Sequence, residues 1–178
     1  MPGLSFLPTI IRYGLLLGVS LCLYTTLMWL TRLDTTYLAV GQYLDIAVIL
    51  LPISLIAAAI RQLLRRAPLR WWQRLGVGVG VGVVAELVYR PYLALYHAYL
   101  NPTWFSFVVA LKKAELSAAG QSAAHITAEL ARLQAAHVRQ AGMFSGFWVS
   151  ALVLPALVAL LTLPFWHRRP APPPRQQP

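Results

Sequence analysis

The hydrophobic pattern is that of a chain built from long apolar runs separated by short polar interruptions. A helix that crosses a bilayer needs about 20 mostly apolar residues at about 1.5 Å rise each. Four segments meet that requirement, and they predict spans at about residues 10–31, 37–60, 75–99 and 144–166. The first carries no charge from Tyr13 to Thr31, the second is interrupted only by Asp45, and the third carries Glu86 and Arg90. The fourth lies in the uncharged stretch between Arg139 and Arg168. The first run is too long for a signal-peptide core and lacks a small-residue cleavage motif after it, so it reads as a retained helix.

Between the third and fourth spans the pattern changes to that of helices lying outside the apolar layer, over about residues 103–142. Ile126, Leu130 and Leu133 form one stripe, while His125, Glu129, Arg132 and Arg139 form the neighbouring face, which is the 3.6-residue period of an amphipathic helix. Gly120 is placed to close a preceding helical piece anchored by Trp104, Phe105, Val108 and Leu111, and Ser122 is placed to cap the next one. The predicted fold class is therefore all-α: an integral membrane four-helix bundle, with an outer amphipathic helical hairpin between the third and fourth spans. Residues 1–167 form one membrane domain. Residues 168–178, rich in proline and arginine, cannot build a core and are expected to be a disordered cytoplasmic tail.

Composition supports the same class. Of 178 residues, 58% are hydrophobic and 11% charged, and the mean hydropathy is +0.62. Too few charges are present to cover a water-soluble particle of this size. The single cysteine, Cys22, has no partner in its own chain, which excludes a disulfide-stapled secreted domain. The net charge of +10 is unevenly distributed. Arg61, Arg65, Arg66, Arg70 and Arg74 crowd one acid-free connector, and Arg12, Arg168, Arg169 and Arg175 join them on one side of the predicted membrane. The opposite side has Arg32, Lys112, Lys113, Arg132 and Arg139 spread over far more chain and partly offset by Asp34, Glu115 and Glu129. Basic residues near helix ends are retained in the cytoplasm, so both termini are expected inside, with the connector against anionic lipid headgroups. Trp71, Trp72 and Trp166 then fall at the inner boundary, and Trp29, Tyr37, Tyr99, Trp104 and Trp148 near the outer one. A nucleic-acid partner is not expected, because the basic connector is tied between two spans and carries no binding fold.

Charges inside a bilayer each cost about 2.5–3.5 kcal/mol at a helix centre, so Asp45, Glu86 and Arg90 are the candidate site. Glu86 and Arg90 are four apart and share a helix face. Asp45 stands 15 residues before Ile60 and Arg90 stands 15 after Leu75, which places both at the same depth, about 22 Å from the inner boundary, where they can meet. His97 extends the polar stripe outward. Two readings follow: a self-neutralising cluster that sets helix register, or a relay or polar pocket for a proton, ion or small anion. Gly76, Gly78, Gly80 and Gly82 contain two small-xxx-small spacings and predict a helix-packing surface rather than a phosphate loop, since the lysine and hydroxyl of such a loop are missing. No catalytic residues, metal site or cofactor are predicted: His97, His125, His137 and His167 lack metal-ligand spacing, and no nucleophile stands in a serine, cysteine or histidine constellation.

The layout of residues 7–165 resembles the small bacterial membrane family catalogued as domain of unknown function 4199. The likeness lies in the arginine-rich turn from Arg61 to Arg74, the Gly-rich helix with Tyr89, Tyr92, Tyr96 and Tyr99, and the segment from Lys112-Lys113-Ala114-Glu115 through Gly120 to Glu129-Leu130-Ala131-Arg132. It implies a four-helix membrane protein and supplies no catalytic residues. The expected function is that of a non-enzymatic inner-membrane accessory or interaction protein, as a homo-oligomer or beside a larger membrane protein. The alternative is a small transporter or channel using Asp45, Glu86 and Arg90.

Overall fold

A computed structural model describes residues 6–140 and 149–161, with the side chains of 139, 140, 149 and 150 left aside. Every regular element among them is helical: α1 (Leu7–Leu30), α2 (Leu38–Val48), α3 (Leu50–Leu64), α4 (Trp71–Leu95), α5 (Trp104–Ala118), α6 (Ala123–Gln140) and α7 (Leu154–Leu161). Wider π turns extend α4 through Tyr96–Leu100 and lead into α7 through Val149–Val153. Leu7–Leu30, Leu38–Leu64 and Trp71–Leu100 are long and apolar enough to cross a membrane. The predicted fourth span at 144–166 and the tail at 168–178 lie partly or wholly outside the described residues; the described piece, Val149–Leu161, is helical and apolar.

α4 is the axis of the bundle. Along one side it runs parallel to α1: a Cβ added to Gly14 would meet Val84 Cβ at 2.5 Å, and one added to Gly18 would meet Val88 Cβ at 2.8 Å. On the other side it runs antiparallel to α7, where Gly78 faces Ala159 and Gly82 faces Ala151 and Pro155. α3 closes the core with Ile56, Ala59, Ile60 and Leu63, which pack with Leu17, Val77, Val81, Ala85, Val158 and Ala159. The outward faces are apolar as well. Leu16, Leu23, Leu27, Ile46, Leu50 and Leu87 are each at least half exposed, which suits a lipid surrounding better than water. Trp71 and Trp72 at one end, and Tyr37 and Tyr99 at the other, are exposed in the manner of interfacial rings.

The second span is two helices. Pro52 has no N–H to give to Val48 and its ring crowds that carbonyl, so the regular ladder lapses at Ile49. Beyond the break the chain leaves the core: α2 buries only Leu38 and Gly41, and Gly41 is required there because its backbone lies against the Leu33 carbonyl.

The connections end as helix chemistry requires. After α5, Gly120 has φ +69°, its N–H donates to Ser117 O at 3.0 Å, and the N–H of Gln121 donates to Leu116 O at 3.1 Å. That pair of bonds is a Schellman stop. Ser122 Oγ then accepts from His125 N–H at 3.3 Å and caps α6, as the sequence predicted. α1 ends with the same motif, but the left-handed position is occupied by Arg32, at φ 58°, a residue with a Cβ where glycine is normal. The hairpin α5–α6 stands at the end of the bundle away from the basic connector, and no residue from 104 to 118 or 123 to 138 is fully buried.

Candidate functional site

The predicted charges are divided between two partnerships. Arg90 Nε donates to Glu86 Oε2 at 2.7 Å, one helical turn apart, and the Glu86 residue is 8% exposed. Asp45 does not complete this pair. Its Oδ1 accepts from Tyr24 Oη on α1 at 2.9 Å, and Asp45 itself is exposed. Along the chain Asp45 and Arg90 remain matched, since α3 runs to Leu64 and α4 starts at Trp71 and so both helices gain four residues at the basic end. Asp45 meets Tyr24 and not Arg90 because α2, separated from α3 at the Pro52 break, stands at the margin of the bundle and meets α1 there. His97 also departs from the expected stripe: its ring stands edge-on to Tyr96 and 4.9 Å from Trp104, so it joins α4 to α5 and not to Arg90.

The four glycines of α4 differ in what crosses them. Gly78 and Gly82 admit α7, and Gly80 admits Ile10 of α1, with a nearest approach of 2.9 Å for an added Cβ. Gly76 has nothing within 4 Å and is not a packing residue, because it sits one turn short of the crossing. Sequence reading missed Gly14 and Gly18, although their spacing is the same small-xxx-small signal read in α4. In the basic connector Arg61, Arg65, Arg66 and Arg70 are exposed, whereas Arg74 is buried at 8% exposure and does not belong to the headgroup-facing set. Arg70 starts α4, its backbone N–H donating to Gln73 Oε1 at 2.8 Å.

Above the glycine contacts, the α1–α4 seam turns polar. Tyr89 Oη and Thr25 Oγ1 lie 3.0 Å apart, and Tyr92 Oη and Thr26 Oγ1 lie 2.7 Å apart. Both threonines also donate back to carbonyls four residues earlier on α1, so in each cross-helix bond the tyrosine hydroxyl supplies the proton. Tyr89, Tyr92 and Tyr96 form a stack with centroids 6.5 and 6.2 Å apart. Tyr99, although spaced to continue it, is 78% exposed, because the wider winding of the π turn rotates it off the stripe.

The ladder ends in a buried clasp that the sequence did not reveal. Tyr96 Oη donates to Asp34 Oδ2, and Asn101 Nδ2 donates to the same oxygen at 2.8 Å and lies 3.1 Å from Tyr96 Oη. Tyr96, Asn101 and Asp34 are 2%, 3% and 8% exposed. The backbone aims them: Asn101 N–H closes the π turn on Tyr96 O at 2.8 Å, bringing both side chains to one point. Burial is the main cause that pushes the Asp34 carboxyl above its ordinary range; the Asn101 hydrogen bond and that of its own backbone pull it down, and the charge of Asp45 pushes it up. Asp34 Oδ1 is buried with no hydrogen-bond partner among the described residues. An aspartate in a short connector reads as a surface turn residue, and only the π turn, which no composition signal announces, carries Tyr96 and Asn101 to it.

Beside the clasp is an open groove of about 450 Å³ between the α1–α2 turn and the start of α5. A ring contact of 3.7 Å between Phe105 and His137 ties α5 to α6 beyond it. Among the described residues no group of three or more His, Cys, Asp or Glu is placed to hold a metal ion.

These features define an all-helical bundle with membrane-length apolar spans and a polar seam leading to one end. The chain belongs to the family described as protein of unknown function DUF4199, which matches residues 12–163. Neither a curated protein nor a solved structure matches it significantly.

Proposed function

We propose that the protein is a multi-pass protein of the bacterial inner membrane, crossing four times with both termini in the cytoplasm. In this reading it acts as a non-enzymatic accessory or interaction subunit, as a homo-oligomer or beside a larger membrane protein. The observation that carries this reading is the α5–α6 hairpin: two helices of 15 and 18 residues, closed by a well-formed turn and capped, yet burying none of their described residues in their own bundle. Ordering that much chain without a core to bury it in is costly unless another surface contributes. Four exposed arginines at the other end suit anionic headgroups, and α7, antiparallel to α4, suits a fourth crossing.

The test pairs topology with capture. In a Cys22→Ser background, a cysteine at Gly120 is expected to react with a membrane-impermeant thiol reagent in spheroplasts, and one at Ala67 only after lysis; the reverse pattern inverts the protein. Purification in mild detergent is then expected to retain a stoichiometric partner or second copy that is lost when Ile126, Leu130 and Leu133 are changed to glutamine. An unchanged set of co-purifying proteins removes the hairpin from the reading. The transporter alternative rests on the part-buried Glu86–Arg90 pair. It requires ion or solute flux in proteoliposomes that Glu86→Gln with Arg90→Met abolishes while the fold persists.

A further inference from the structure

The groove beside the Asp34 clasp has the chemistry of a headgroup site. Its lining includes the polar residues Arg32, Thr35, Thr36 and Asn101 together with Trp29 and Phe107. The Arg32 guanidinium makes no ion pair or hydrogen bond with any described residue, although its backbone is held in a left-handed conformation by the stop of α1. A non-glycine residue in that conformation is disfavoured because its Cβ crowds the following carbonyl, and such strain persists where surrounding structure over-determines it, commonly at ligand sites. Thr36 makes no side-chain hydrogen bond with a described residue, so its hydroxyl is free to donate, whereas the Thr35 hydroxyl already donates to Arg32 O at 3.4 Å.

The groove is open, and part of its lining is apolar. Leu30 and Leu100, which also line it, are 63% and 43% exposed and continue the apolar outer faces of α1 and α4. A soluble ion would gain nothing from those two leucines, whereas an amphiphile could keep its chains along Leu30 and Leu100 and its charged group at Arg32. We propose that this groove binds the phosphate of an anionic membrane lipid, with Arg32 as the charge-assisted donor, the Thr36 hydroxyl as a further donor, and Trp29 and Phe107 beside the headgroup. Arginine suits this task because its planar donor fork matches phosphate oxygens. Asp34, which does not line the groove, accepts hydrogen bonds from Tyr96 and Asn101, and its burial disfavours the ionised form that would repel an anion. The site lies at the end opposite the basic connector and so is separate from the headgroup contacts proposed there. It rests on the membrane reading only in requiring a bilayer beside α1 and α4.

The test is native mass spectrometry of the detergent-solubilised full chain in a background with Arg61, Arg65, Arg66 and Arg70 changed to glutamine, which removes lipid held by the connector. Titration with dioleoyl phosphatidylglycerol is expected to give one saturable adduct, with dioleoyl phosphatidylcholine at least tenfold weaker. Arg32→Asn keeps the left-handed backbone, which asparagine tolerates, and is expected to weaken the phosphatidylglycerol adduct at least tenfold without lowering the melting temperature. Thr36→Val should weaken it several-fold, and Arg132→Gln on α6 should leave it unchanged. Equal binding by Arg32→Asn overturns the proposal. So does competition by millimolar inorganic phosphate without lipid preference, which would assign the groove to a free anion. Release of the protein from membranes without detergent would instead overturn the membrane reading.

Discussion

The α1–α4 seam and the α5–α6 hairpin are both helix pairs, yet they are held by different physics. In the seam, Gly14, Gly18 and Gly80 remove the side chains that would separate the backbones, and Thr25, Thr26 and Asp34 each meet a tyrosine. Lipid provides no hydrophobic drive between apolar helices, so close packing and interhelical hydrogen bonds must hold them. The hairpin has neither device. It relies on a Schellman stop, a serine cap, half-buried apolar side chains and the Phe105–His137 stack. Stability should therefore be concentrated in the seam and the α4 contacts, and the hairpin left free to answer to a partner.

The largest expected effect tests the buried charge. Arg90→Met leaves Glu86 in a low-dielectric surrounding without its cation and is expected to lower stability by about 3–5 kcal/mol. Glu86→Gln added to it should recover most of that loss, and thermal unfolding in detergent reads both; a double variant as unstable as the single one would deny that the pair is a unit. Next come the glycines. Gly14→Leu or Gly82→Leu should cost about 1–3 kcal/mol or more through overpacking, whereas Gly76→Leu, which faces open space, should be neutral in the same assay.

The clasp comes third. Tyr96→Phe deletes one of the two donors to Asp34 and is expected to cost about 1–2 kcal/mol. Its pH dependence has a definite sign. Because the folded-state pKa of Asp34 is raised, its contribution is complete below the ordinary carboxyl range and is lost as pH rises through the raised value. Melting temperature should therefore fall across that window in the parent, and fall less in Asp34→Asn. The smallest effect should lie in the hairpin. Lys112→Ala breaks an exposed 3.1 Å pair with Glu115 and is expected to change stability by at most about 0.5 kcal/mol. A seam-sized loss there would show that the hairpin is a structural part of the bundle.

What the sequence determined by itself is whatever depends on local composition and period. Apolar run length located the three membrane-length helices, and the 3.6-residue stripe with Gly120 and Ser122 located the hairpin and its turn. Four-residue spacing identified Gly78 and Gly82, and joined Glu86 to Arg90. Each of these depends on residues a few positions apart, whose geometry a helix imposes on its own. Tertiary structure decided the rest. Asp45 meets Tyr24 because the Pro52 break carries α2 to the margin of the bundle, and depth along a helix contains no information about azimuth. Arg74 turns inward and Gly76 stays open because a helix face acquires meaning only from what crosses it. Asp34, Tyr96 and Asn101 converge from positions 62 to 67 apart in sequence because a π turn shifts the register of α4 by part of a turn at the one place where the α1–α2 connector reaches it.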